Sequence, residues 1–500
     1  MSASKALYEA RLGLFAFSAF YTVAFAGAFF GWGPMQLMLE ADGAFSDKCV
    51  DSVNTDKVCP AQTKSLLNVQ LIAQLMQMCT PLLGHLCDTR GPTSLMVFVS
   101  SIGCLGISLL MVASATGLDR LLFVAFSCLG LMAVSASVLM VQAGMVFEGE
   151  VSQRRAISAL NALFDAGSIT YLGLWAIGNS IDSDSSLLIV SGGYLGLAVV
   201  CFGGSLYFWR RVTLLMSKTS LVAFEPGVED EEIPVASASK HSSRDGEDDG
   251  SSSPSSLLDE VPPTSNDIGI ESSAREQAMP ASGYVPISMR TTYQQLTSGE
   301  FLLLSVFFAF NVARNIFVLT TARDFLAYLG DDATGNKYLT IFTLLMPASV
   351  LGLPFVDVAI KRFGWHTGFQ VINVLAVAHG IIQVASDNLN VQVLGFVIFS
   401  FYRCFLFTVT FSFLPVFMGS DVLGKAAGLL IFFAGFGTLI NIPLANVAID
   451  VFNGNFFWPN LFYTILIIPF IYVAWKLEKG LCREKDAKDE KMPILVLPPP

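Results

Sequence analysis

The stretch LLFVAFSCLGLMAVSASVLMVQAGMV, Leu121 to Val146, carries no charged side chain. A helix rises about 1.5 Å per residue, so this run is long enough to cross a hydrocarbon core of about 30 Å. Similar runs recur on both sides. Leu12 to Leu37, Leu66 to Cys87, Leu95 to Ala113, Ile157 to Ile177 and Leu187 to Phe208 accompany it ahead of Glu225. Phe301 to Thr320, Tyr338 to Ala359, Thr367 to Val384, Val391 to Phe413, Ala426 to Val447 and Leu461 to Trp475 follow Glu276. The pattern predicts an all-α membrane protein with twelve transmembrane helices, six on each side of a polar break. The first run is too long for a signal-peptide core and lacks a small-residue cleavage site, so it is expected to remain as helix one.

Composition agrees. Of 500 residues, 53% are hydrophobic and 14% charged, against about 25% charged in a soluble globule. The net charge of −11 invites a search for a basic partner until it is located: 14 acidic and 3 basic residues between Glu225 and Glu276 account for all of it. That segment, with Glu229-Asp-Glu-Glu232 and Ser251-Ser-Ser-Pro-Ser-Ser256, holds too little apolar surface to offset its ordering entropy. It reads as a disordered linker and a substrate for a cytoplasmic kinase, with no sign of nucleic-acid binding. The expected organisation is an N-terminal six-helix bundle over 1–211, the acidic linker over 212–297, a C-terminal six-helix bundle over 298–477 and a tail over 478–500.

Lys and Arg near the span ends set the orientation, because short cytoplasmic loops retain positive charge. With both termini inside, the inner side collects Arg11, Arg90, Arg154, Arg155, Arg210, Arg211, Lys361 and Arg362 among others, and the outer side only Lys48, Lys57, Lys64, Arg120, Arg323 and Lys337. The plasma membrane is the expected location. Cys49 and Cys59 share the polar loop after the first span. A disulfide is expected if that loop meets an oxidising compartment, as the charge count favours, and free thiols if it meets the cytosol.

Between spans two and three stands Gly84-His-Leu-Cys-Asp88-Thr-Arg90-Gly91. It resembles the Gly-x-Leu-x-Asp-x-x-Gly-Arg-Lys signature of the major facilitator superfamily and lies in the loop where that signature belongs. The resemblance implies two six-helix halves that rock about a midplane site. It also makes Gly84, Asp88, Arg90 and Gly91 gating residues, with Asp88 near a helix N-terminus of the opposite half, where a carboxylate is favoured. Pro92-Thr93 replaces the family's basic pair, which weakens the latch. A degenerate second copy is read at Gly352-Leu-Pro-Phe-Val-Asp357 with Lys361-Arg362.

A narrower resemblance lies around the first span. Phe30-Gly-Trp-Gly-Pro34, Glu40-Ala-Asp-Gly-Ala-Phe45, Asp47-Lys-Cys49 and Cys59 resemble the start of solute carrier family 43, the large neutral amino acid transporters. Leu163-Phe-Asp-Ala-Gly-Ser168 and Arg403-Cys-Phe-Leu-Phe407 point the same way, and fungal and protozoan relatives of that branch also carry amino acids. The implied activity is secondary transport of an amino acid. The alternatives are a carrier for another small polar or organic-anion solute and a transporter-like nutrient receptor.

Ionisable groups inside spans are expensive, so each is a functional candidate. Arg314, with Asn311 and Asn315 beside it, gives span seven a polar stripe, and Arg403 lies near the middle of span ten. Either guanidinium suits a carboxylate, which its planar fork holds bidentately, or a packing contact with a neighbouring helix. Span five presents Ser158, Asn161, Asp165 and Ser168 on one face. Asp165 has three candidate partners: a substrate ammonium, an Arg of the other half, or a proton. Gln70, Gln74 and Gln77 line one face of span two, suited equally to a polar path and to interhelical hydrogen bonds. Gly27, Gly31, Gly33 and Pro34 permit either close packing or an unwound turn in span one. The expected substrate contacts are Arg403, Arg314, Asp165, Asn161, Asn311 and Gln74.

Enzyme classes find no support. Four His, no Ser/His/Asp constellation, no Cys/His metal cluster and no Gly-x-x-x-x-Gly-Lys-Ser/Thr loop give no purchase for metal, cofactor or nucleotide chemistry.

Overall fold

The computed structural model describes residues 3–49, 59–181, 186–222, 287–418 and 422–490. The acidic segment from Glu225 to Glu276, Lys57 and the last ten residues of the tail lie outside the described residues. A chain in lipid has no water to satisfy its backbone, so each crossing resolves into helix. In the N-terminal half these are α1 (Ala3–Tyr21), α2 (Trp32–Ala41), α3 (Pro60–Gln74), α4 (Thr80–Thr116), α5 (Arg120–Met145), α6 (Glu150–Ala166), α7 (Ile169–Ser180) and α8 (Ser186–Val222). In the C-terminal half they are α9 (Thr292–Leu296), α10 (Gly299–Tyr328), α11 (Lys337–Leu345), α12 (Leu353–Ala385), α13 (Leu389–Met418), α14 (Leu423–Gly437), α15 (Asn441–Asp450), α16 (Phe457–Leu466) and α17 (Phe470–Glu490).

Among the described residues, nine helical segments are long and apolar enough to cross a membrane. The chain is a multi-pass membrane protein. Two of those segments, Pro60–Thr116 and Lys337–Ala385, run 57 and 49 residues, about 85 and 73 Å at the helical rise and more than twice the hydrocarbon thickness. Each is interrupted once by a glycine in left-handed backbone: Gly91 at φ 81° in α4 and Gly364 at φ 83° in α12. A side chain at either place would be strained, and Pro92 removes a further helical hydrogen bond. Counted back from the two turns, Lys361 occupies the place of Asp88, and Asp357, ion-paired with Lys361 at 2.5 Å, the place of Gly84. The second copy therefore carries the opposite charge at the place that corresponds to Asp88.

The expected fifth span, Ile157 to Ile177, falls on α6 and α7, which meet at Gly167 and Ser168 and are not among the nine segments. The break leaves α6 at 17 residues and α7 at 12, each too short to cross alone, and the polar stripe dilutes the segment's apolarity further. Both edges of the expected linker are helical. α8 continues through Val222, and α9 starts at a capping box in which Thr291 and Gln294 satisfy each other's backbone.

Two hydrophobic cores form, one from Ala10 to Val212 and one from Ile287 to Leu477, with Leu67 and Leu71 crossing into the second. Within the first, α1 passes through a π turn (Thr22–Ala26) and a 3-10 turn (Gly27–Phe30) before α2. A Cβ on Gly27 would lie 2.0 Å from the Phe164 carbonyl oxygen, and one on Gly167 would lie 2.5 Å from Gly27 Cα. The first crossing thus lies backbone against backbone on the helix that carries Asp165. Close packing and an irregular turn, open alternatives from sequence, occur together.

A disulfide joins Cys49, just past the 3-10 turn Ser46–Lys48 that follows α2, to Cys59 at the N-cap of α3. We call this end of the molecule the disulfide face and the end carrying Gly91 and Gly364 the linker face. Alkylation of the unreduced, denatured protein is expected to leave these two thiols unlabelled and to reach them only after reduction, read as a mass increment on the peptides that contain them.

Candidate functional site

A cavity of about 1050 Å³, its open end included, lies between the halves at mid-depth. Aromatic and aliphatic side chains make most of its wall, including Phe29, Phe30, Phe164, Phe308, Phe407 and Phe411. The polar groups are few: Gln74 at the end of α3 and Gln77 in the 3-10 turn after it, Ser137 on α5, Asn161 and Asp165 on α6, Asn315 on α10, and Ser349 and Thr408 opposite. Such a site offers apolar contact with a small number of orienting groups.

The charged centre joins the halves. Arg403 of α13 donates to Asp165 Oδ1 of α6 at 2.5 Å and to Asn315 Oδ1 of α10 at 2.9 Å. Ser349, also from the C-terminal half, donates to Asp165 Oδ2 at 3.3 Å. Arg403 is 2% exposed and Asp165 7%. The guanidinium does not itself line the cavity. It stacks on the wall residue Phe30, 4.2 Å from the centre of the ring. Asp165 and Asn315 are its hydrogen-bond partners in the cavity wall.

Of the expected substrate contacts, Gln74, Asn161 and Asp165 line this cavity and Arg403 adjoins it. Arg314 and Asn311 do not. Arg314 is 1% exposed and turns into the C-terminal core, where a terminal nitrogen lies 3.3 Å from His379 Nδ1 and the guanidinium faces the Tyr402 ring. Gly380 leaves room for it: a Cβ there would be 2.9 Å from the guanidinium. Asn311 donates to the Phe307 carbonyl and accepts from the Tyr402 hydroxyl. The stripe read as one face of span seven is thus divided by helix rotation, Asn315 toward the cavity and Arg314 away from it. Arg314→Lys is expected to leave KM in any uptake that uses this cavity unchanged while costing about 1–2 kcal/mol of stability through the lost stacking on Tyr402. Uptake titration beside thermal unfolding checks both halves of that statement.

The glutamines divide as well. Gln70 donates to the Phe29 carbonyl at 3.2 Å as an interhelical tie, whereas Gln77 donates to Gln74 Oε1 at the cavity wall. Ser349 escaped notice in the sequence because nothing nearby distinguishes it from a packing serine.

The two ends of the cavity differ. Besides Arg403–Asp165, the ion pairs that join the halves among the described residues are Arg323–Glu40 and Lys64–Asp450, both on the disulfide face. At the linker face Asp88 and Arg90 lie on the last helical turns of α4 before the kink at Gly91, with Gly84 one turn earlier; both are exposed and make no ion pair among the described residues. The ion pairs between the halves at the molecule's ends thus gather on the disulfide face among the described residues.

This fold, two helical halves about a central cavity, is one that a solved membrane protein shares. The chain is similar to a crystal structure of the Escherichia coli fucose:proton symporter FucP (N162A), with a TM-score of 0.52 and 13% identity over 93% of this chain and 98% of that one. It is also 25% identical over 183 residues to protein FMP42 of Saccharomyces cerevisiae, a match that spans 36% of each chain. No family model matches the sequence.

Proposed function

We propose that the protein carries neutral amino acids across a membrane by alternating access, in the manner of the solute carrier 43 branch. The observation that carries this is the charge content of the centre: one buried cation and one buried anion, contributed by opposite halves. A zwitterion can exchange with that pair charge for charge, its ammonium on Asp165 and its carboxylate on Arg403 once Phe30 swings aside. A net anion or cation would leave an uncompensated charge in a dry site. A sugar, such as the fucose named for the fold neighbour, offers no charge to either partner. Asn161 and Gln74 supply uncharged contacts beside the ammonium, and the Phe-rich wall suits a large apolar side chain.

Twelve crossings in two six-helix bundles follow if Gly91 and Gly364 divide the two longest segments and α6 with α7 makes one crossing. Positive charge at the linker face supports cytoplasmic termini and linker, a kinase as partner of that linker, and residence in the plasma membrane. Uptake of a panel of labelled amino acids into proteoliposomes, with fucose and organic anions as comparison, tests the substrate. Uptake confined to sugars or anions would overturn the assignment. An amino-acid analogue lacking the carboxylate should compete poorly.

A further inference from the structure

On the disulfide face the halves meet through buried polar groups that substrate recognition leaves unused. Gln36 of α2 donates through Nε2 to Glu40 Oε1 at 2.9 Å and to Asp324 Oδ1 of α10 at 3.0 Å. Arg323 holds Glu40 Oε2 at 3.3 Å with one terminal nitrogen and Asp332 Oδ1 at 2.9 Å with the other. The side chains of Arg323 and Glu40 are 8% and 7% exposed, whereas Asp332, at 57%, is screened by water. Asp324 makes no ion pair among the described residues, and its Oδ2 is buried without a hydrogen-bond partner, as is Gln36 Oε1. The dry part of the cluster therefore sets two carboxylates against one guanidinium, and two of its orphaned atoms are acceptors that lack a hydrogen. Among the described residues no further charge makes up the difference: α7 carries none, and Lys337 of α11 lies over the ring of its neighbour Tyr338.

We propose that closing the disulfide face takes up one proton from the solution bathing that face and holds it on the Glu40–Asp324 pair, so that the seal is operated by protonation. With the halves parted, both carboxylates are hydrated and ionised. Bringing α2 onto α10 strips that water, and one proton removes the surplus negative charge. Burial raises the Glu40 carboxyl above its usual range, against the opposing pull of Arg323 and Gln36. A group whose pKa is higher in the closed state favours closure at low pH, and the advantage is lost as pH rises through the closed-state value. Reopening returns the proton to the same side, so the device gates without carrying charge across. The proposal rests on rocking halves and is independent of what is carried.

The test uses the full chain in nanodiscs without substrate, with bio-orthogonal spin labels at the exposed positions Leu118 and Tyr328, one in each half. In the wild type the closed-to-open ratio is expected to fall as pH rises above the ordinary carboxylate range, by up to about tenfold per pH unit for a one-proton link. Asp324→Asn and, separately, Glu40→Gln remove the surplus charge and should hold the face closed with a flat pH profile. Asp450→Asn, which breaks the other bridge, should lower the closed fraction at every pH and keep the wild-type slope. A flat wild-type profile, or the wild-type slope retained in both Asp324→Asn and Glu40→Gln, overturns the proposal. Neither result bears on the amino-acid assignment, which uptake alone decides.

Discussion

Arg403→Ala is expected to abolish uptake and to destabilise the protein by about 3–5 kcal/mol, because Asp165 would be left charged and alone in a dry interface. Loss of uptake on its own could follow from that damage, so three variants are needed. Arg403→Lys keeps the charge, but an ammonium cannot reproduce the planar fork that reaches Asp165 and Asn315 together. A charge-assisted hydrogen bond worth about 1.5–3 kcal/mol is forfeited, which corresponds to a fall in uptake of about tenfold or more. The double variant Arg403→Gln with Asp165→Asn removes both charges and should recover most of the stability, since replacing a whole buried pair is far milder than breaking it. Uptake should remain absent. Proteoliposome flux beside thermal unfolding distinguishes the cases: a double variant that transports at the wild-type rate would make the pair a mere strut and end its role in substrate binding.

Gly167→Val should be nearly as damaging for a different reason. The added side chain would enter the backbone of the first crossing, where Gly27 Cα is 2.5 Å from the position of a new Cβ. Backbone cannot rotate aside as a side chain can, so overpacking here costs about 3 kcal/mol, at the top of the usual range. α6 must then move away from the first crossing and takes Asp165 with it, so uptake should fall further than stability alone explains. Gly173→Val, on the same segment but with open space around its Cβ position, is the matched control and should be close to neutral. Equal loss in both variants would show that the close contact does not position the charged centre.

Apolar run length, the acidic break and the loop ending at Gly91 were enough to place the chain among multi-pass membrane proteins, because lipid removes every solution except satisfied helices. The same cost of burying charge picked out Asp165, Arg314 and Arg403 before any geometry was known. Depth along a helix is readable by counting residues. Rotation about its axis is not, because in a bundle apolar side chains face both lipid and protein, and hydropathy alone cannot orient the helix. Tertiary structure therefore decided that Asn315 turns to the cavity while Arg314, one position away, is buried with His379, and that Arg403 spends its fork on Asp165 and Asn315 while stacked on Phe30. It also decided what no local pattern encodes, the meeting of Gln36, Glu40, Asp324 and Arg323 on one face. Those residues are nearly three hundred positions apart in sequence, and only the packing of one half against the other gives them a common environment.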